Sequence, residues 1–269
     1  MLRRLCLLFL TCLLLTACSF DRSMLVQKKE NEVAETKITE EEAPIFDFSE
    51  TNLNIAAIGD SLTKGVGDET KNGGYRSFLL NQMKMELGVD DIAIHDYGKK
   101  GLTSSGLVKN VQKPEVKELI ATADVIVITI GGNDIMTVAK ENFMHLQLTH
   151  FQDEMNQYEE NVRAVLDYIR SNNEVADIYL VGLYNPFQKW FQDIKEFDEI
   201  MLQWNNKSRQ ITESYDDVYF VEIANLFMND TENLIYEEDF FHPNHRGYEL
   251  MGEAIFEELK ENTFAKIQM

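Results

Sequence analysis

Residues 125–130 read Val-Ile-Val-Ile-Thr-Ile, an almost wholly apolar run that ends at Gly131 and Gly132. Side chains on a β-strand point alternately to the two faces of its sheet, so a strand without a polar face must be covered on both sides. Such a strand belongs to the interior of a parallel sheet with helices above and below it. Around this run, short apolar segments alternate with amphipathic ones. Residues 53–58, 92–97, 178–183 and 218–221 read as further strands. Residues 75–87 read as a helix with Phe78, Leu79, Met83 and Leu87 on one face and Gly88 closing it. A long helix is predicted over 151–170, with Tyr158, Val162, Val165, Leu166 and Ile169 turned inward, and another over 193–214. The last helix opens near Pro243 and Asn244, a favourable first-position and capping pair, and buries Tyr248, Met251, Ile255, Phe256 and Leu259. Repeated β-α-β units imply right-handed crossovers. The predicted fold is a three-layer α/β/α sandwich around a five-stranded, mostly parallel sheet, in one domain over 51–269.

The segment before that domain reads differently. Arg3 and Arg4 precede an apolar run over 5–15, and Leu15, Thr16 and Ala17 lead into Cys18. This is the form of an export signal over 1–17, too short to span a membrane. Its end resembles the lipobox of bacterial lipoproteins, in which Cys18 is lipidated and becomes the new N-terminus. An ordinary signal peptide or an N-terminal membrane anchor with incidental cysteines is the alternative. Cys6 and Cys12 lie in the part removed, so no disulfide is expected. Residues 18–50 carry many charged and few large apolar side chains and read as a flexible acidic tether. The net charge of −21 repels nucleic acid and anionic headgroups alike. A lipid on Cys18 therefore suits membrane attachment better than a basic patch does. These features predict a membrane-anchored bacterial protein outside the cytoplasm, without a nucleic-acid partner and monomeric.

Ligands of open parallel sheets sit beyond the carboxyl ends of the strands. Four clusters fall there: Gly59-Asp60-Ser61-Leu62, Gly98 to Gly101, Gly131-Gly132-Asn133-Asp134, and Asp239-Phe240-Phe241-His242. A serine hydroxyl attacks only when a base takes its proton. His242 can be that base for Ser61, with Asp239 three residues earlier to hold the imidazole. The backbone N–H groups of Ser61 and Gly101 and the side-chain amide of Asn133 are candidate donors to an oxyanion. Singly, each has a plainer reading: Ser61 and Asn133 as helix caps, Gly101 as a turn, Asp239 and His242 as a polar loop pair.

Taken in order, these blocks resemble those of the SGNH hydrolases, also called GDSL lipases or esterases, over about 53–259. The likeness is to extracytoplasmic GDSL lipoproteins of low-GC Gram-positive bacteria. It implies a flavodoxin-like sheet, a mobile substrate pocket and hydrolysis of acyl esters without a metal or other cofactor. In the second block such proteins often have Asn where Asp96 stands here.

Asp60, Phe187 and Trp190 are assigned to substrate binding, with Phe191, Phe240 and Phe241 near them, though such aromatics equally serve as packing. Lys99 and Lys100 are positive charges beside the oxyanion loop that could meet a phosphate or carboxylate, unless they are merely solvated. No residue spacing supports a metal site. The leading expectation is a lipase, lysophospholipase or esterase that forms an acyl-enzyme on Ser61. An O-acetylesterase of cell-envelope glycans is the alternative, and a non-catalytic binding lipoprotein is a third reading.

Overall fold

The computed structural model describes residues 52–87, 91–145, 147–186, 195–228 and 232–267. Five strands, β1 (Leu53–Gly59), β2 (Ile92–Gly98), β3 (Val125–Thr129), β4 (Asp177–Val181) and β5 (Val218–Val221), form one sheet in the order β2-β1-β3-β4-β5. Every neighbouring pair is parallel. This is the flavodoxin-like order, whose direction of winding reverses between β1 and β3. Strand β3, the apolar run above, lies at the centre with every residue buried.

The alternation along β3 sorts its side chains into two cores. Val125 and Val127 join Ile55, Tyr179 and Val221 beneath α2 (Tyr75–Leu87) and α9 (His245–Leu259). Ile126 and Ile128 join Ile58, Ile178 and Leu180 under helices on the other face. Those helices are α4 (Pro114–Thr122), α6 (Leu148–Asn172) and α7 (Lys195–Thr212). Full burial of each such aliphatic side chain is worth about 1.5–3 kcal/mol, which is why a strand this apolar is stable only between two helical layers.

Further helices include α1 (Ser61–Lys64), α3 (Ser104–Asn110), α5 (Gly132–Glu141) and α8 (Ala224–Phe227), and α9 runs on through a π-helical turn (Lys260–Phe264) into Ala265–Ile267. The α3–α4 pair is an addition to the sequence reading, and α6 begins three residues earlier than expected. At the last helix Asn244 is the N-cap, accepting from Gly247 N–H at 2.9 Å, while Pro243 precedes the cap and does not occupy the first helical position. Residues 1–51, on which the expected export signal, lipidated Cys18 and tether fall, lie outside the described residues, as do Gly88, Phe187, Trp190 and Phe191. Among the described residues no helix is long and apolar enough to cross a membrane.

Candidate active site

The site forms where β1 and β3 end side by side. Gly59 has φ +140°, and a side chain there would bring its Cβ to 2.1 Å from Thr129 O. Only a glycine permits that approach. Asp60 N–H then donates to Thr129 O at 3.0 Å, and the chain turns into α1. The Asp60 carboxylate caps this helix, its Oδ1 accepting from Leu62 N–H at 2.9 Å and from the Thr129 hydroxyl at 2.8 Å. Thr129 in turn meets Thr63, whose hydroxyl also contacts Tyr75 OH at 3.1 Å. This buried polar chain fixes the position of Ser61, the first residue of α1, whose N–H has no acceptor within the helix.

Ser61 Oγ lies 2.8 Å from His242 Nε2, and His242 Nδ1 lies 2.6 Å from Asp239 Oδ2. With Nδ1–H given to the carboxylate, Nε2 is left to accept the serine proton. Asp239 Oδ1 accepts from the backbone N–H groups of Phe241 and His242, both at 3.0 Å. Burial pushes the Asp239 carboxyl up, but these N–H groups and the imidazole outweigh it and hold it below its ordinary range. The loop that carries both residues closes on itself through Tyr236 N–H to His242 O at 2.8 Å and a bridge between Ile235 and Pro243. Phe240 takes φ +54° there, and Tyr184 OH donates to Phe241 O at 2.7 Å.

Opposite the base, Lys99 N–H donates to Gly59 O at 2.9 Å, and Leu102 N–H closes a turn onto Lys99 O at 3.1 Å. Gly101 takes φ +77°, the sign required at the third position of a type II turn. Its N–H has no acceptor among the described residues, and a Cβ at this position would meet nothing within 4 Å. Asn133 Nδ2 donates to Leu102 O at 2.9 Å, which ties the third block to this turn. Beside it the buried Asp134 binds both the hydroxyl (2.5 Å) and the N–H (3.0 Å) of Ser104. The block of Asn133 is thus joined to the turn of Gly101, and Asn133 lines the same cleft as Ser61. Asp96, where Asn is common, accepts from Gly98 N–H at 2.8 Å and from Lys64 and Arg76 at 3.0 and 3.1 Å. Its extra charge is met by two cations, so the loop keeps its support.

A cleft of about 490 Å³, open mouth included, lies alongside Ser61. Its walls include Leu62, Ile135, Met136, Leu183, Pro186, Met201 and Phe241. Asp60 contributes to the floor, with its Oδ1 turned back into the α1 cap. Phe187 and Trp190, the other two residues assigned to substrate binding, fall outside the described residues. Two supporting residues escaped the sequence reading. Thr129 looked like the one polar interruption in an apolar strand. Asp68, whose carboxylate accepts from Thr70, Asn72 and Gly74 N–H, organises the loop behind His242. Its only sequence signal is its place among Gly65, Gly67, Gly73 and Gly74. His245, three residues after the base, is engaged with Asp68 at 3.2 Å. Among the described residues no group of His, Cys, Asp and Glu is arranged to hold a metal ion.

Burial pushes the Asp60 carboxyl up to about 6, against the bonds from Leu62 and Thr129 that favour its charge. A raised folded-state value means that the folded protein holds this proton more tightly than the unfolded chain does. The resulting stability is complete below the unfolded value of 3.8 and is lost as pH rises through about 6. The loss is on the order of 3 kcal/mol. We expect Asp60→Asn, which can still cap α1 through its Oδ1, to lack this loss. Urea unfolding at a series of pH values should show the variant gaining on wild type between about pH 4 and 7. Parallel stability curves would contradict the buried placement of this carboxylate.

Residues 57–250 match the GDSL-like lipase/acylhydrolase family. The protein YpmR of Bacillus subtilis (strain 168) is 30% identical over 255 residues, covering 94% of each chain. The spore germination lipase LipC of Bacillus licheniformis is 28% identical over 211 residues, 76% of this chain and 94% of its own. Among solved structures, the lipase Lip_vut3 from a goat rumen metagenome superposes with a TM-score of 0.68 at 26% identity, covering 76% of this chain and 95% of that one. Axe2, an acetylxylan esterase from Geobacillus stearothermophilus, superposes at 0.59 with 19% identity, over 79% of this chain and 95% of its own, a likeness of fold. The chain thus belongs to the GDSL-like lipase/acylhydrolase family, the SGNH hydrolases that its four blocks resemble, and so to the carboxylic ester hydrolases.

Proposed function

We propose that the protein hydrolyses esters of apolar acyl chains through an acyl-enzyme on Ser61. The observation that carries this is the unbroken line from Ser61 Oγ through both ring nitrogens of His242 to Asp239 Oδ2. In this reading Ser61 attacks the ester carbonyl while His242 Nε2 takes its proton. Charge on the tetrahedral oxygen is met by the N–H groups of Ser61 and Gly101 and by the Asn133 amide. His242 gives the proton to the leaving alcohol, then draws one from the water that attacks the acyl-enzyme and passes it to Ser61 Oγ as the acid leaves. Asp239 holds the imidazole and offsets its transient charge.

The acyl half belongs in the cleft, whose Leu183, Met201 and Phe241 walls favour a chain longer than acetate. A lipase activity in the similar LipC supports that choice. In the same proposal the enzyme works outside the cytoplasm as a monomer, held at the membrane by an acylated Cys18. One experiment tests both parts: p-nitrophenyl esters from acetate to laurate, assayed on membrane and soluble fractions. For wild type, kcat/KM should rise by about tenfold or more from acetate to octanoate, at roughly 0.8 kcal/mol per buried methylene for the first few carbons. That activity should move to the soluble fraction in Cys18→Ala. Turnover confined to acetate would favour an O-acetylesterase of envelope glycans and sink the longer-chain reading.

A further inference from the structure

Lys99 and Lys100 take the first two positions of the turn that presents Gly101 N–H. The backbone of Lys99 is pinned to Gly59 O, two residues from the nucleophile. Gly98, just before them, lies so close to α1 that a Cβ there would sit 2.3 Å from Lys64 N. Both lysine side chains are exposed. The carboxylates around them are already engaged: Asp96 with Lys64 and Arg76, Asp134 with Ser104, and Asp60 with Thr129 and the α1 cap. Neither lysine has a carboxylate partner among the described residues. They also begin a stretch, 99–117, with five lysines against the single Glu115, in a chain of net charge −21. The base side of the site has the opposite sign, with Glu237 and Glu238 exposed just before Asp239.

The site is thus apolar along one wall, acidic beside the base and basic beside the oxyanion turn. We propose that Lys99 and Lys100 are specificity-determining residues that favour esters whose alcohol half carries a phosphate. The proposal rests on the ester-hydrolase reading above. The apolar wall takes the acyl chain, which leaves the alcohol half to meet the charged rim. Glu237 and Glu238 repel an anion from the base side, so a phosphate settles on the lysines. A lysine ammonium on its flexible stem suits a phosphate as a point charge and needs no fixed geometry. No proton or bond changes at this contact. It orients the substrate and raises its encounter rate.

The test compares the decanoyl esters of glycerol 3-phosphate and of glycerol, both below their micelle concentrations, with the full chain. Exposed lysine–phosphate contacts contribute a few-fold each. Wild type should therefore prefer the phosphate ester by about tenfold in kcat/KM at low ionic strength, the preference shrinking severalfold in roughly 0.3 M salt. In the double variant K99Q/K100Q that ratio should fall towards one and lose its salt dependence, while K99R/K100R should keep both. Equal kcat/KM for the two esters in wild type, or a preference that survives K99Q/K100Q, overturns the proposal and leaves the ester-hydrolase reading standing. Failure of wild type to turn over either ester, or p-nitrophenyl decanoate, removes that reading and this proposal with it.

Discussion

Ser61→Ala is expected to lower kcat on a p-nitrophenyl ester by about 10⁴–10⁶ and to abolish labelling by a fluorophosphonate probe. The size follows from geometry. Among the described residues Ser61 Oγ is the one hydroxyl bonded to His242 Nε2, at 2.8 Å, and removing it leaves the base with water to activate. The residual rate comes from what the substitution spares, the oxyanion donors and the cleft. Ser61 is buried, at 3% exposure, yet alanine fits its place on α1 and the cap from Asp60 remains. The change in stability should then stay within about 1 kcal/mol, the net worth of one hydrogen bond. Thermal unfolding, labelling and turnover measured on one preparation separate lost chemistry from lost fold. A folded Ser61→Ala protein that still labels, or that keeps activity within tenfold of wild type, would mean that another residue is the nucleophile.

That prediction was open to the sequence, and its partners show why. The strand over 125–130 announces itself because burial on both faces leaves no polar position, and the structure puts β3 at the centre of the sheet. Ser61, Gly101, Asn133, Asp239 and His242 were nameable because each stands at a strand end or in the loop before a helix. Supporting residues were less legible. Thr129 reads as a strand residue, and its bonds to Asp60 and Thr63 exist only because β1 and β3 end together. Helix α3 carries no apolar stripe long enough to see, and it is held by the Thr103 cap and by Asp134 and Asn161 reaching across to Ser104. The cleft gathers Met136 from α5, Met201 from α7 and Leu183 from the loop after β4. Only tertiary packing brings such positions together, so a reading of neighbours along the chain does not reveal them, and Phe187 and Trp190 lie outside the described residues.

Gly67→Ala carries the second large effect, at a residue outside the four blocks. Gly67 has φ +95°, and a Cβ there would sit 2.5 Å from Pro243 O, 2.9 Å from His242 Cβ and 3.2 Å from Tyr236 Cβ. Positive φ costs alanine about 1–2 kcal/mol, and forcing a methyl into a filled space costs about 1–3 kcal/mol more. Neither side can retreat easily. Pro243 is held by its bridge to Ile235 and by Asn244 N–H to Leu234 O at 2.8 Å. The glycine's own loop is held by Asp68, through Thr70, Asn72, Gly74 and His245. What is left to yield is the segment that carries His242, and a base displaced by about 1 Å costs on the order of 10²-fold in rate. We therefore expect Gly67→Ala to melt roughly 5–15 °C below wild type. Its kcat should fall by about 10²-fold or more even well below that temperature, with KM changed much less. The split between kcat and KM matters, because a general loss of stability would lower the active fraction without changing the turnover of what remains folded. Active-site titration with the fluorophosphonate supplies that fraction. If titrated Gly67→Ala turns over at the wild-type rate, the loop does not hold the catalytic histidine from behind, and the geometry assigned to His242 rests on its own loop alone.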